Sequence, residues 1–195
     1  MHRRLLSRAR RLPLLVWDRV LDLWYAYDGP GVMMLWVAPF LMFAVVGSLA
    51  RFAYTQHVEM RSEVERRAEV RCLAENVYHE GRGEPLPGQY AVAEVTMNRV
   101  ASPRFPDTVC GVVHEKRLDK LRGRYVGAFS WTELDVRAPI GPAWVRAMEV
   151  ATTVYDSRHE PVMPEALYYH ATRVEPRWAK VKEPLAQIGN HVFYP

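Results

Sequence analysis

The segment that decides the fold is residues 72–100, CLAENVYHEGRGEPLPGQYAVAEVTMNRV, in which a helical pattern ends at Glu80. Apolar side chains at Val70, Leu73 and Val77 have the spacing of one helix face, so Glu80 is predicted to project close to the buried stripe. Burial raises the pKa of a carboxylic acid, as a general acid working near neutral pH requires. The alternative is a solvated surface glutamate, the usual state of such a residue at a helix end.

A second helix is predicted from Leu86 to Ala101 and is stopped by Ser102-Pro103. Both helices carry apolar side chains, so they are predicted to pack together. Between them, Gly81 and Gly83 are predicted to keep the backbone beside Glu80 open to a large substrate.

The rest of the chain after residue 101 predicts short elements. They are a helical piece capped by Asp107 or Thr108 and ending at Val113, a helix from Pro142 to about Tyr155, and aromatic strands at residues 166–171 and 191–194 that pair near the site. The predicted class is α+β, mostly helical with a small β element.

Five blocks follow one another in this half of the chain. They are Cys72-Leu73-Ala74 with Tyr78 to Pro85 and Asn98-Arg99-Val100, then Ser102 to Val113, then Phe129-Ser130-Trp131, then Tyr168-Tyr169-His170-Ala171, and then Pro176-Arg177-Trp178 with residues 188–194. This ordered set resembles the SleB-type cell wall hydrolases, the spore cortex-lytic family, and is more specific than any single motif. The resemblance implies a lysozyme-like catalytic domain over residues 70–195 that acts on peptidoglycan glycan strands.

The family's similarity to lytic transglycosylases implies a mechanism for cleaving the MurNAc-GlcNAc bond with one carboxyl group. Glu80 would act first as acid and then as base toward the muramic acid 6-hydroxyl, which gives a 1,6-anhydro end. Water-using glycosidases need a second carboxylate at a defined distance. The sequence contains no clear one, and the candidates are Glu84, Glu94, Asp107, Glu133 and Asp135.

Other side chains in the matching blocks are candidates for binding substrate. They are Arg82, Ser130, Trp131, Tyr168, Tyr169, His170 and Tyr194. Trp131 would stack on a sugar ring, and Arg82 would meet a carboxylate of the peptide stem, although packing and a salt bridge are the alternatives. Asn98 and Arg99 are predicted as buried partners that hold the catalytic helix.

No cofactor and no metal site is predicted. Four histidines, His79, His114, His170 and His191, are scattered along the domain, and His79-Glu80 lacks the second histidine of a zincin helix. No calcium-loop spacing is present.

Residues 32–50, VMMLWVAPFLMFAVVGSLA, contain no charged side chain and have the length of a membrane-crossing helix. We therefore predict a signal anchor over residues 31–53. Six arginines precede it, which keeps the amino terminus cytoplasmic and the catalytic domain periplasmic or extracytoplasmic. The predicted location is the cytoplasmic (inner) membrane, with a single pass; a cleaved signal peptide is the alternative.

The flanks of the span have different characters. Residues 1–30 are predicted as a basic, cytoplasmic segment with an interfacial helix at 13–27, which ends at the breaker Asp28-Gly29-Pro30-Gly31. Residues 54–69 alternate charges and predict a solvated stalk. The net charge is only +4 and the arginines cluster at the amino terminus, which indicates membrane topology and no nucleic-acid partner.

Cys72 and Cys110 are the only cysteines. Members of the resembling family often carry two more around the Phe-Ser-Trp block, where this chain has residues such as Gly127 and Leu134. An extracytoplasmic domain that lacks this second pair suits a Cys72–Cys110 disulfide, and two free buried thiols are the alternative.

Two other functions are compatible with the sequence. One is a catalytically silent, membrane-tethered module that binds peptidoglycan or assists envelope assembly. The other is an amidase that cuts the peptide stem, but neither the zinc site nor the nucleophile triad of such enzymes is recognisable.

Overall fold

The computed structural model describes residues 12–26, 29–119, 123–136 and 138–195. It divides into two compact units, Met1–Met60 and Arg61–Pro195. The predicted basic segment over residues 1–11 lies outside the described residues.

Two helices account for the described part of the first unit. Helix α1 spans Leu12–Ala26, close to the predicted interfacial helix, and helix α2 spans Gly29–Gly81. The predicted breaker separates the two helices only in part. Its last three residues, Gly29-Pro30-Gly31, form the first turn of α2, where proline is tolerated. Asp28, the first residue of the predicted breaker, lies outside the described residues.

Helix α2 contains the apolar segment predicted to cross the membrane. Among the described residues it is the one helix that is long and apolar enough for a span, with a mean hydropathy of 2.2 in a window that is not buried by protein. Pro39 lies inside the helix, and the Ser48 hydroxyl donates to the carbonyl of Val45 at 2.8 Å. Length and composition therefore fit a membrane helix, although a signal sequence passes the same test.

The second unit contains the carboxyl-terminal part of α2, three further helices, two small sheets and two 3₁₀ turns among its described residues. The helices are α3 (Leu86–Ala101), α4 (Val109–Val113) and α5 (Pro142–Tyr155). The 3₁₀ turns are Ser130–Glu133 and Arg177–Val181. The strands are β1 (Lys116–Asp119), β2 (Arg124–Gly127), β3 (Tyr168–Ala171), β4 (Ala186–Ile188) and β5 (His191–Tyr194).

Helix α3 lies at the centre of this unit because it is buried on two sides. Ala93 packs into a cluster with Leu73 and Val77 of α2 and with apolar residues of α4 and α5. Ala91 and Val95 pack instead against Phe193 of β5. One helix therefore separates a helical core from the antiparallel sheet of order β3-β5-β4.

The predicted packing of the first two helices is confirmed. The Asn76 side chain of α2 donates to the Thr96 hydroxyl of α3 at 3.1 Å, and both residues are fully buried. Ser102 follows the last residue of α3, as predicted, and its amide donates to the carbonyl of Arg99. The Thr108 hydroxyl, rather than Asp107, caps α4 by accepting from the amide of Gly111 at 3.0 Å.

Residues 61–69 belong to the second unit, although they lie in the segment predicted as a solvated stalk. The Arg66 guanidinium donates to both carboxylate oxygens of Asp156, at 2.8 and 2.9 Å. Glu69 accepts from the backbone amides of Val109 and Cys110 at the start of α4. The charged segment at residues 61–69 is thus exposed on one side and bonded to the rest of the domain on the other.

A disulfide joins Cys72 of α2 to Cys110 of α4 and closes a separation of 38 residues. A loop of this length predicts a stabilisation of about 4 kcal/mol in the chain-entropy account. The bridge fixes α4 against the helix that carries Glu80.

The prediction of a mostly helical α+β domain with a small β element is confirmed. The aromatic strands pair as antiparallel β3 and β5, with Tyr169 opposite Phe193. The hairpin of β1 and β2 and the edge strand β4 were not predicted, because β1 and β2 are short and charged and β4 has only three residues.

Candidate active site

A cleft of about 510 Å³ opens where α2 ends. Its walls are the end of α2, the first 3₁₀ turn, the end of β3 with the turn after it, and the turn between β4 and β5. The lining residues are His79, Glu80, Glu84, Ser130, Trp131, Tyr169, His170, Ala171, Thr172, Arg173, Val174, Asn190 and His191.

Glu80 is half-buried in the last turn of α2. Burial raises its pKa above the ordinary value of 4.5, and Tyr169 and Arg99 lower the pKa by smaller amounts. The carboxyl group therefore holds its proton to a higher pH than a solvated glutamate. This is the behaviour expected of Glu80 from the helical spacing.

Tyr169 is the polar neighbour of Glu80 on β3. Its hydroxyl is buried, and burial together with Glu80 raises the pKa of Tyr169 well above 10.0. The hydroxyl lacks a hydrogen bond of good distance and angle within the described structure. Tyr169 therefore lowers the pKa of Glu80 without forming a hydrogen bond of ordinary geometry to it, and catalytic hydrogen bonds often tighten only when substrate binds.

Glu84 is the second carboxylate in the cleft, and its oxygens are already occupied. It accepts from the backbone amide of Asn190 at 2.8 Å and from the Asn190 side chain at 3.2 Å. The Nδ1 atom of His191 lies 3.5 Å from the same carboxylate, and burial lowers the pKa of His191. Glu84 therefore ties the loop after α2 to the β4–β5 turn.

Trp131 lies at the base of the cleft with 9% of its surface exposed. Its indole N–H donates to the Asn76 side chain at 3.3 Å, and one ring face stacks on His79 at 4.4 Å. Burial lowers the pKa of His79, so this stacked imidazole is neutral near pH 7. The face that His79 covers is closed to the sugar stacking predicted for Trp131.

His170 connects the cleft to an aromatic cluster beside it. Its Nδ1 lies 3.0 Å from the carbonyl of Ala171, and its Nε2 lies 3.0 Å from the hydroxyl of Tyr194. A carbonyl can only accept, so in the neutral ring Nδ1 carries the proton and Nε2 accepts from Tyr194. The Trp178 ring packs edge-on against both His170 and Tyr194 and keeps 37% of its surface exposed.

The structure brings some of the predicted substrate contacts together with Glu80 and leaves others apart. Ser130, Trp131, Tyr169 and His170 line the cleft, whereas Arg82, Tyr168 and Tyr194 do not. The Arg82 guanidinium lies over the Tyr78 ring at 5.1 Å. The Tyr168 ring packs instead beside Phe105 and Trp178.

Asn98 and Arg99 hold a different segment from the one predicted. Asn98 donates to the carbonyls of Met163 and Ala166, and Arg99 donates to the carbonyl of Leu167 at 2.8 Å. Both side chains therefore secure the approach to β3 rather than the helix that carries Glu80. Arg99 reaches Glu80 only through its charge.

Gly81 and Gly83 also differ from one another. A Cβ atom at Gly81 would meet Gln89 at 3.6 Å, so Gly81 packs against α3, whereas a Cβ atom at Gly83 would meet nothing within 4 Å. Only Gly83 has the open surroundings that were predicted for both.

The other candidate carboxylates lie outside the cleft lining. Glu94 is buried and accepts from His159 and from the amide of Val162 at 2.7 and 2.9 Å. Glu133 accepts from the amide of Gly127 at 2.6 Å, and Asp107 and Asp135 are exposed. In the described part of the chain, no group of three or more His, Cys, Asp or Glu side chains is placed to hold a metal ion.

Among the cleft residues that were not singled out as substrate contacts from the sequence are Thr172, Arg173, Asn190 and His191. Thr172 and Arg173 lie in the turn after β3, Asn190 lies in the turn before β5, and His191 is the first residue of β5. Because β3 and β5 pair antiparallel, with Ala171 opposite His191, the pairing itself carries both turns to the cleft. Only the predicted pairing of the two strands could have indicated them.

Comparisons with known proteins agree on one family. The Cell Wall Hydrolase family model matches residues 83–194. The spore cortex-lytic enzyme of Oceanobacillus iheyensis is 32% identical over 128 residues, which are 64% of this chain and 41% of that protein. The corresponding enzyme of Bacillus cereus is 31% identical over 128 residues, 64% of this chain and 43% of its own length.

A solved structure extends the comparison to three dimensions. The catalytic domain of the germination-specific lytic transglycosylase SleB from Bacillus anthracis has a TM-score of 0.51 and 30% identity, over 65% of this chain and 93% of that domain. The chain spans about two fifths of the curated relatives' length. The family model begins three residues after Glu80. The match to the Oceanobacillus iheyensis enzyme covers 64% of the chain, and a match of that length must include the segment around Glu80.

Proposed function

This chain belongs to the cell wall hydrolase family, and we propose that it cleaves the MurNAc-GlcNAc bond of peptidoglycan as a lytic transglycosylase, with Glu80 as general acid and base. The observation that carries the proposal is the contrast between the two carboxyl groups of the cleft. Glu80 is half-buried and has a raised pKa, whereas Glu84 is engaged by Asn190 and His191. One carboxyl group is therefore available for proton transfer.

The reaction requires two proton transfers, one from Glu80 and one back to it. Glu80 donates its proton to the glycosidic oxygen as the bond from that oxygen to C1 of muramic acid breaks. The Glu80 carboxylate then takes the proton of the C6 hydroxyl while O6 forms a bond to C1. The products are a free GlcNAc 4-hydroxyl and a 1,6-anhydro muramic acid end, and Glu80 is protonated again. No water molecule is consumed, so no second carboxylate has to activate one.

Neighbouring groups suit the two charge states that Glu80 passes through. Burial favours the protonated acid of the first step. The Tyr169 hydroxyl and the Arg99 cation both lower the Glu80 pKa, so they favour the carboxylate of the second step. Arg99 remains charged although burial lowers its pKa from 12.5. Tyr169 and Arg99 thus oppose the effect of burial and favour the second transfer.

Residues 32–50 are proposed to anchor the protein in the cytoplasmic membrane, with the catalytic domain outside the cytoplasm. The charge-free stretch and the arginines before it support this topology. Proteinase added to spheroplasts should digest a carboxyl-terminal tag and spare an amino-terminal one. Digestion of the amino-terminal tag alone would contradict the orientation.

The activity is tested by mass spectrometry of the products that the detergent-solubilised chain releases from purified peptidoglycan, beside the Glu80→Gln variant. Anhydro-muropeptides from the wild type alone would support both the reaction and the role of Glu80. Reducing-end muropeptides would instead indicate attack by water, and the search for a second carboxylate would reopen. Binding to peptidoglycan without any product would favour the catalytically silent module.

A further inference from the structure

Arg173 lies on the wall of the cleft, in a turn whose backbone is fixed at two points. The amide of Val174 donates to the carbonyl of Ala171 at 3.0 Å and closes the turn after β3. The amide of Thr172 donates to the carbonyl of Asn190 at 2.8 Å and ties this turn to the one before β5. The backbone that carries Arg173 is therefore held by both walls of the cleft.

The Arg173 guanidinium is exposed and has no hydrogen bond or ion pair to any group in the described parts of the chain. Other arginines nearby are engaged. Arg82 lies over the Tyr78 ring, and Arg99 donates to the carbonyl of Leu167. Arg173 is thus a cleft cation whose five N–H donors face solvent.

Arg173 acts electrostatically on the His191 side of the cleft. Its charge lowers the pKa of His191, whereas the cation that lowers the pKa of Glu80 is Arg99. The turn that carries Arg173 is tied to Asn190, next to His191, whereas Glu80 lies at the end of α2, so a group bound by Arg173 would lie along the cleft from the scissile bond rather than on it. Binding there would position the glycan without taking part in proton transfer.

We propose that Arg173 binds a carboxylate attached to the muramic acid residue beside the scissile bond, an inference that rests on the proposed function. The sugar rings of a peptidoglycan strand are neutral, so its negative charges lie on carboxylates attached to muramic acid. These are the carboxylates of the stem peptide or, where the stem has been removed, the lactyl carboxylate itself. A guanidinium matches a carboxylate through two parallel N–H···O bonds. The anion contact predicted for Arg82 thus belongs to Arg173.

The test compares Arg173→Gln with Arg82→Gln in the full chain in detergent. Both changes remove one positive charge, so Arg82→Gln controls for long-range attraction to the anionic wall. Four soluble glycan preparations serve as substrates: peptide-bearing strands and peptide-free strands, each with free carboxylates or with the carboxylates converted to amides. Rates of anhydro-end formation give kcat and KM for each.

Arg173→Gln is expected to raise KM roughly 10- to 100-fold on a carboxylate-bearing substrate, the size of a charge-assisted hydrogen bond, with kcat nearly unchanged. On the amidated strands Arg173→Gln should raise KM less than about twofold. Arg82→Gln should change KM less than about twofold on every substrate. A loss confined to peptide-bearing strands assigns the stem carboxylate, and one confined to peptide-free strands assigns the lactyl carboxylate. An equal loss on free and amidated strands, or no loss, would overturn the proposal.

Binding by the Glu80→Gln variant, with and without Arg173→Gln, separates this inference from the catalytic one. Sedimentation with insoluble peptidoglycan, before and after amidation, measures the affinity without turnover. If the wild type makes no product but binding still depends on Arg173 and on free carboxylates, the carboxylate site stands and the transglycosylase proposal fails. If product forms but neither binding nor KM depends on Arg173, the carboxylate site alone fails.

Discussion

Glu80 and Glu84 line the same cleft four residues apart, but the helix end and the turn give their carboxyl groups different surroundings. Glu80 lies in the last helical turn beside buried apolar residues, with a raised pKa and no hydrogen bond of ordinary geometry to Tyr169. Glu84 accepts two hydrogen bonds from Asn190. Both carboxyl groups line the cleft, so the neighbouring hydrogen-bond donors, rather than the position in the cleft, distinguish the group that we propose as the acid.

The largest expected effect concerns turnover. Glu80→Gln should lower the rate of anhydro-muropeptide release by about 10²- to 10⁴-fold, the usual contribution of a general acid or base. Glu84→Gln should lower it less than about tenfold, because the side chain holds a turn. If both variants lost the same factor in rate while circular dichroism showed both to be folded, the two carboxyl groups would not differ as described and Glu84 would have a catalytic role.

The next effect concerns the turn that Glu84 holds. Gly189 has φ +58°, and a Cβ atom there would clash with a carboxylate oxygen of Glu84 and lie 2.8 Å from Cδ of Pro85. Gly189→Ala should therefore destabilise the protein by about 2 kcal/mol or more, combining left-handed strain with overpacking. Urea unfolding measures the change. Gly83→Ala is the matched control, because its Cβ would meet nothing within 4 Å, and it should be neutral.

A smaller effect is the dependence of stability on pH. The folded-state pKa of Glu80 lies above the ordinary 4.5, so the native state binds this proton more tightly than the unfolded state. The resulting stability is present below about pH 4.5 and is lost as the pH rises through the raised pKa. Glu80→Gln removes the titration, so its stability should exceed that of the wild type increasingly across this window. Thermal unfolding at several pH values would show the two curves separating; parallel curves would contradict the burial of Glu80.

The smallest expected effect is a shift in the pH profile. Tyr169 lowers the Glu80 pKa, so Tyr169→Phe should raise it and move the alkaline limb of kcat/KM to higher pH. Tyr168→Phe is the control, since Tyr168 does not line the cleft. A shift to lower pH in Tyr169→Phe would mean that the hydroxyl stabilises the protonated acid instead.

Sequence periodicity was sufficient to predict the helices around Glu80, because the local spacing of apolar residues decides which helix face is buried. Leu73 and Val77 are fully buried, and the pKa of Glu80 is raised as their spacing predicted. The paired strands at 168–171 and 191–194 were also foreseen from their aromatic runs. The charged hairpin at 116–127 was not, because neither of its strands has an apolar face in the sequence.

The sequence by itself therefore determined the family, the mostly helical class and the position of the candidate acid, since these depend on spacing within short segments. Only the tertiary structure decided which charged side chains share the cleft with that acid. Glu84 and Arg173 are separated by 89 positions along the chain and lie in one cleft because β3 and β5 pair antiparallel beside α3. Arg82 is two positions from the acid in sequence but lies over Tyr78, because a side chain's direction depends on the packing around it rather than on its distance along the chain.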